Sequence, residues 1–186
     1  MRRSRPSFDT TRYHPQDDLN FLRDWQNGTY PEGWEDKPVT WVSLADARAY
    51  ASWAGKRLPH EWEWQYAAQG TDRRLYPWGN EWNAFAVPLP DKGRTMRGPD
   101  GVSAHPNGAS PFGEMDLVGN VWQWTDEYLD EHTRAAIVRG GSYYQPGIHV
   151  VLPTSLQADG AREISINGAE HRSFGRAGFP CVQDAQ

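Results

Sequence analysis

Apolar and polar positions alternate in short, punctuated stretches along the chain, and the clearest periodicity lies between residues 38 and 69. There VTWV (39–42) reads as a short strand, and Ser43 follows as a helix N-cap with Asp46 three residues on. This is a capping-box pattern with Asp in place of the usual Glu or Gln. Ala47, Tyr50, Ala51 and Ala54 then recur at helical spacing, and Gly55 is placed to stop the helix. A second helix is predicted after Pro59, with Trp62, Tyr66 and Gln69 on one face and Trp64, Ala67 and Ala68 toward another. Residues 70–115 are dominated by turn formers (PWGN, PDKG, RGPDG, HPNGASPFG), a length that in a compact domain needs something to hold its shape. Strand-like GNVWQWT (119–125), a charged turn through Glu127 to Arg134, IVRGGSYY (137–144) and a final strand at GFPCV complete the pattern. The expected class is α+β: an irregular, loop-rich fold with two short helices and a few antiparallel strands. Residues 1–36 read as a weakly structured lead-in and 37–186 as the domain.

Composition sharpens this reading. The 186 residues include 10 Trp, 8 Tyr, 18 Gly and 14 Pro, at a mean hydropathy of −0.81. So many aromatic residues argue against disorder and predict a core built from large rings rather than an aliphatic lattice. A net charge of −5 argues against nucleic acid or an anionic membrane as partner. The basic start MRRSRPSF is followed by no apolar run, and nothing approaches the roughly 20 apolar residues of a membrane helix. The single cysteine, Cys181, permits no internal disulfide, and the expectation is a soluble, cytoplasmic protein of undetermined oligomeric state. P-loop, GxSxG, HExxH and GxGxxG motifs are all missing, and the six histidines form no HxH or HxxxH pair.

Five segments in order carry a family resemblance: WVSLADARAYASWAGKRLPHEWEWQYAA (41–68), YPWGNEW (76–82), GASPFGEMDLVGNVWQWT (108–125), VRGGSYY (138–144) and the terminal GFPCV. Together they resemble the formylglycine-generating-enzyme, or sulfatase-modifying-factor, family, whose fold is a variant of the C-type-lectin type. The family's opening Gly-Gly-x-Phe-x-Met-Gly strands have no counterpart before residue 37, so the resemblance implies a partial domain. Pro180 stands where the family has Arg in its last strand, and proline cannot donate a ladder hydrogen bond, so that strand should be an edge or distorted.

The active enzyme of the family uses two cysteines, five residues apart, to bind copper(I) and oxidise a substrate cysteine. The resemblance puts Gln145 and Val150 at those positions, and neither supplies the thiolate that soft copper(I) requires. Copper and formylglycine synthesis are therefore not expected, and Cys181 reads as a small buried hydrophobe of the closing strand. A related branch makes sulfoxides on histidine derivatives with an iron site supplied by a separate helical bundle.

Calcium is the cofactor that the resemblance leaves open. At one loop the implied ligands are the Asp116 side chain, the Gly119 and Val121 carbonyls and the Gln123 side chain. The family has Asn and Glu where this chain has Asp116 and Gln123, so formal charge is conserved; the alternative is a plain β-turn. A second loop would use Asp100 and the Val102 and Val87 carbonyls, but Ala86 offers no side-chain ligand, and the alternative there is again a plain turn. Trp122 and Trp124 are expected to pack in the core, and Gly140, Gly141 and Ser142 to make a bulged strand start. Ser142, Tyr143, Tyr144 and Gln145 form a candidate recognition set of hydroxyl, rings and amide. The preferred expectation is a non-catalytic, calcium-stabilised module, a pseudoenzyme that binds a protein or peptide through residues 140–176. The alternatives are an oxidoreductase-family enzyme with altered or lost activity, and a variable ligand-binding protein of a diversity-generating retroelement, which has this same fold.

Overall fold

The computed structural model describes residues 13–89, 98–130, 132, 134–143, 164–166, 177, 178 and 180–184. Its elements are α1 (Leu44–Trp53), α2 (Glu61–Gln69), β1 (Trp122–Asp130), β2 (Ala135–Arg139), β3 (Ile164–Ile166) and β4 (Ala177–Gly178). Single 3-10 turns at Ala84–Ala86 and Pro106–Gly108 interrupt the long loop. The architecture is α+β and loop-rich.

α1 begins where the cap pattern places it. Ser43 Oγ accepts from the Asp46 amide at 3.2 Å, while Asp46 Oδ2 accepts from the Ser43 amide at 2.7 Å. Gly55, at φ +68°, turns the chain out of the helix. α2 presents Trp64 and Ala68 inward and leaves Trp62 and Tyr66 exposed, the partition its periodicity predicts. The fork of Arg57 grips both Glu63 oxygens, at 2.6 and 2.8 Å, and its Nε reaches Asp184. That pairing holds the Glu63 carboxyl down at about 2 and ties α2 to the carboxy-terminal segment.

VTWV is not a strand. Trp41 takes φ +60°, a left-handed conformation that a run of extended residues cannot contain. β1 runs five residues beyond Thr125, through the segment expected to turn, because Asp126 and Tyr128 find partners on its flank. Arg48 donates to Asp126 Oδ1 at 2.6 Å and to the Tyr128 hydroxyl at 2.5 Å.

The sheet order is β3-β2-β1-β4. β1 and β2 are antiparallel, pairing Gln123 with Arg139 and Trp124 with Val138, with register shifts on either side of Tyr128. β3 joins β2 antiparallel, whereas β4 runs parallel to β1 at the sheet edge. β4 ends at Gly178, ahead of Pro180, so the strand expected over GFPCV does not run through Pro180 and Cys181; Val182 makes only an isolated bridge to Arg57.

The main core packs Leu44, Ala47 and Ala51 of α1 against Trp124, Ala136 and Val138 of the sheet, closed by Val42 and Leu58. A smaller cluster joins Trp64, Ala68 and Leu117. The core is therefore mostly small and aliphatic: of ten tryptophans only Trp64 and Trp124 are buried. Trp124 donates to the Val42 carbonyl at 3.2 Å, while Trp122 packs at the core margin. Phe21 and Leu22 of the lead-in also pack on this core, and the Leu22 amide donates to the Trp41 carbonyl at 2.9 Å. Cys181 packs there too, and burial pushes its thiol up. Among the described residues no helix is long and apolar enough to cross a membrane.

Candidate functional site

Three chain segments cross beside the start of β1 and the end of β2: residues 98–105, 116–121 and 140–143. The crossing needs tight backbone. Asp116 and Asn120 lie at φ +58° and +52°, and Ser103 at φ +67°. Asn and Asp tolerate this region because their short polar side chains bond locally. Gly140 and Gly141, at φ +98° and +114°, follow the end of β2, and a strand starting from them would run into residues outside those described. A Cβ on Gly140 would stand 3.2 Å from the Leu117 carbonyl oxygen, and at φ +98° any side chain is strained, so glycine is favoured there.

Asn120 is the centre of the crossing, although sequence reasoning placed it only within a strand. It is fully buried. Its Oδ1 accepts from the Asp100 amide at 2.9 Å, its Nδ2 donates to the Asp100 carbonyl at 3.2 Å, and its own carbonyl accepts from the Tyr143 amide at 2.8 Å. One side chain thus mimics a strand partner for the 98–105 loop, and its backbone carries the chain toward Ser142 and Tyr143. The lead-in closes the other side: the Val102 amide donates to the Asp36 carbonyl at 2.6 Å, and Trp34 lies so close to Gly98 that a Cβ there would clash.

The proposed calcium ligands divide. Asp116, Gly119, Val121, Gln123 and Asp100 converge on this crossing. Asp116 Oδ2 accepts from the Ser103 amide at 3.2 Å, while its buried Oδ1 has no partner. Burial pushes the Asp116 carboxyl up, Asp100 adds to the rise, and the Ser103 amide and His105 oppose it. The Gly119 amide donates to the Gly140 carbonyl at 3.3 Å, and the Val121 carbonyl faces Gly140. Gln123 is buried and engaged at both ends: Oε1 accepts from Trp64 Nε1 at 2.6 Å, and Nε2 donates to the Asp116 carbonyl at 2.8 Å. Asp100 Oδ2 pairs with His105 Nε2 at 3.0 Å.

At the second loop, Val102 is half exposed, and the Ala86 carbonyl lies where a Cβ on Gly108 would stand 2.3 Å away. The residues fit calcium only in part. The orphan oxygen of Asp116 suits a cation, but the side chains that would share the charge already have protein partners. Among the described residues no group of three or more His, Cys, Asp or Glu side chains is placed to hold a metal ion. His105, Ser103 and the Trp64 partner of Gln123 were not foreseen; Ser103 and His105 sit in turn-rich sequence where no periodicity marks them. Tyr144, Gln145 and Val150 lie outside the described residues.

Beside the crossing, the end of β2 carries Arg139, a buried guanidinium that meets Glu61 at the start of α2. This ion pair fixes the Arg-Gly-Gly-Ser turn against α2.

Comparison with known proteins agrees with this frame. The sulfatase-modifying factor enzyme 1-like domain matches residues 8–185. The bovine inactive C-alpha-formylglycine-generating enzyme 2 is 42% identical over 117 residues, covering 57% of this chain and 38% of that protein. The hercynine oxygenase of Mycolicibacterium smegmatis is 42% identical over 98 residues, covering 50% of this chain and 22% of that protein. The formylglycine-generating enzyme of Mycobacterium tuberculosis is 41% identical over 106 residues, covering 52% of this chain and 36% of that protein. The match thus spans well under half the length of each of these relatives. Among solved structures, CarF superposes with a TM-score of 0.59 at 20% identity, covering 85% of this chain and 72% of that one. PvdO from Pseudomonas aeruginosa gives a TM-score of 0.57 at 19% identity, covering 77% of this chain and 60% of that one. At such identities these two structures speak for the fold alone.

Proposed function

Because this chain belongs to the sulfatase-modifying factor enzyme 1-like domain family, we propose that it is a non-catalytic member that binds a protein or peptide ligand. The observation that carries this reading is the substitution of Gln145 and Val150 at the two copper-cysteine positions that the family resemblance assigns. Earlier in the chain than those positions, Gly140 and Gly141 turn at positive φ, and the Asn120 carbonyl accepts from the Tyr143 amide. A segment of this family that offers no thiolates suits recognition rather than thiol oxidation. Ser142, Tyr143, Tyr144 and Gln145 are the recognition set, offering rings and hydrogen-bonding groups that an extended peptide can meet. A relative named as inactive, at 42% identity, supports this reading.

The test has two arms. The chain, copper(I) and oxygen are incubated with a cysteine-containing sulfatase peptide, and free thiol is titrated; no loss of thiol is expected, and conversion to an aldehyde contradicts the reading. Peptides selected on the immobilised chain should then bind at least about tenfold more weakly to Tyr143→Ala. Unchanged affinity would remove Tyr143 from the surface.

The similarity to hercynine oxygenase favours one competing reading, an oxygen-dependent enzyme. The match covers 22% of that protein, so the groups that complete its chemistry need not lie in the shared segment. Oxygen uptake by this chain with iron(II) and hercynine would establish that reading in place of the first.

A further inference from the structure

The Gln123 amide has only one possible orientation. The Trp64 indole N–H can only donate and the Asp116 carbonyl can only accept, so Oε1 must face the first and Nε2 the second. The contacts, at 2.6 and 2.8 Å, are buried and part-buried respectively, and they make the amide a bridge between α2 and the loop before β1. A carboxylate at the same place would still accept from Trp64. Its other oxygen, however, would stand against the Asp116 carbonyl oxygen, on a residue whose own carboxylate already holds an orphaned, buried Oδ1. Facing acceptors of that kind need a cation between them; an amide N–H₂ does not.

The neighbouring loop repeats the arrangement. Asp100 Oδ2 meets His105 Nε2, and since a carboxylate only accepts, that nitrogen carries the proton. Calcium affinity follows the number of charged oxygen ligands. With Asp100 Oδ2 bonded to His105 and an amide at 123, Asp116 is the named carboxylate with a buried oxygen left without a donor. We infer that this loop crossing is closed by donors of the protein itself, the Gln123 amide and the His105 imidazole, and folds without a bound metal ion. The inference is independent of whether the surface above the crossing binds a peptide.

The experiment compares thermal midpoints in EDTA and in excess calcium for the full chain, Gln123→Glu and the charge-conserving double variant D116N/Q123E. The unmodified chain should melt at the same temperature in both buffers. Q123E should melt lower in EDTA and recover by roughly 5 °C or more with calcium, because only the folded loop then binds the ion. A calcium-dependent rise in the unmodified chain overturns the inference. So does a Q123E midpoint that calcium leaves unmoved, since the amide would then not be standing in for an ion. Should Q123E lack a cooperative transition in both buffers, D116N/Q123E decides: a calcium-dependent midpoint supports the inference and coincident midpoints overturn it.

Discussion

The helix starts and the centre of the loop crossing pair their polar groups over different distances along the chain. In α1 the partners Ser43 and Asp46 are three residues apart, and ahead of α2 Arg57 and Glu63 are six apart. In the crossing Asn120 reaches back 20 residues to Asp100, and Gln123 reaches 59 to Trp64. Local partners form as the helix forms and can be lost one at a time. Distant partners are worth something only when the whole fold has brought them together, so losing one strands its neighbour in a buried place.

The sharpest way to break this comparison is Asn120→Ala. It removes both bonds to the Asp100 backbone and leaves a residue poorly suited to φ +52°, so about 3 kcal/mol of stability should be lost in urea titration. Gly140→Ala should follow, at about 2 kcal/mol, because the added carbon meets the Leu117 carbonyl in a left-handed conformation. On the helix side, Ser43→Ala should cost about 1 kcal/mol as a lost cap. Losses from the two sides that matched would break the comparison.

How much of this could be read from the residues alone follows the same division. Ser43, Asp46 and Gly55 marked α1 because capping is a three-residue code, and the separation of Trp64 and Ala68 from Trp62 and Tyr66 followed from helical period, though not which face is inward. The course of β1 past Thr125 was hidden, since its charged residues find Arg48 rather than solvent, and Arg48 lies 78 residues earlier than Asp126. VTWV misled because β-branched and aromatic composition says nothing about the single left-handed residue at Trp41. The abundance of tryptophan misled too: rings such as Trp62 and Trp82 stay exposed while alanines fill the helix–sheet contact. The crossing residues Asp116 and Gln123 were legible through family resemblance, whereas Asn120 and His105 were not, since each acts through a partner that only the fold supplies.

A further, smaller effect tests the helix side by pH. Glu63 is held at about 2 against an ordinary 4.5, so its pairing with Arg57 stabilises the fold fully above pH 4.5 and is lost as pH falls through 2. In Arg57→Met the stability at neutral pH should drop by about 1 kcal/mol, a modest amount because both side chains are partly exposed. The slope of stability between pH 4.5 and 2 should flatten in that variant. An unchanged slope would assign the acid sensitivity to other carboxylates. Tyr13→Phe, which removes one hydroxyl bond to Asp46, should cost the least, about 0.5 kcal/mol.

The central claim is that the loop crossing is built into the fold by its own side chains and is as cooperative as the helix–sheet core. Native-state hydrogen exchange in EDTA tests it most directly, by comparing the Asp100 and Tyr143 amides with the amides of α1 and β1. Protection of Asp100 and Tyr143 equal to that of the core is the predicted result. Fast exchange at those two amides, slowed to core levels only on adding calcium, would contradict it.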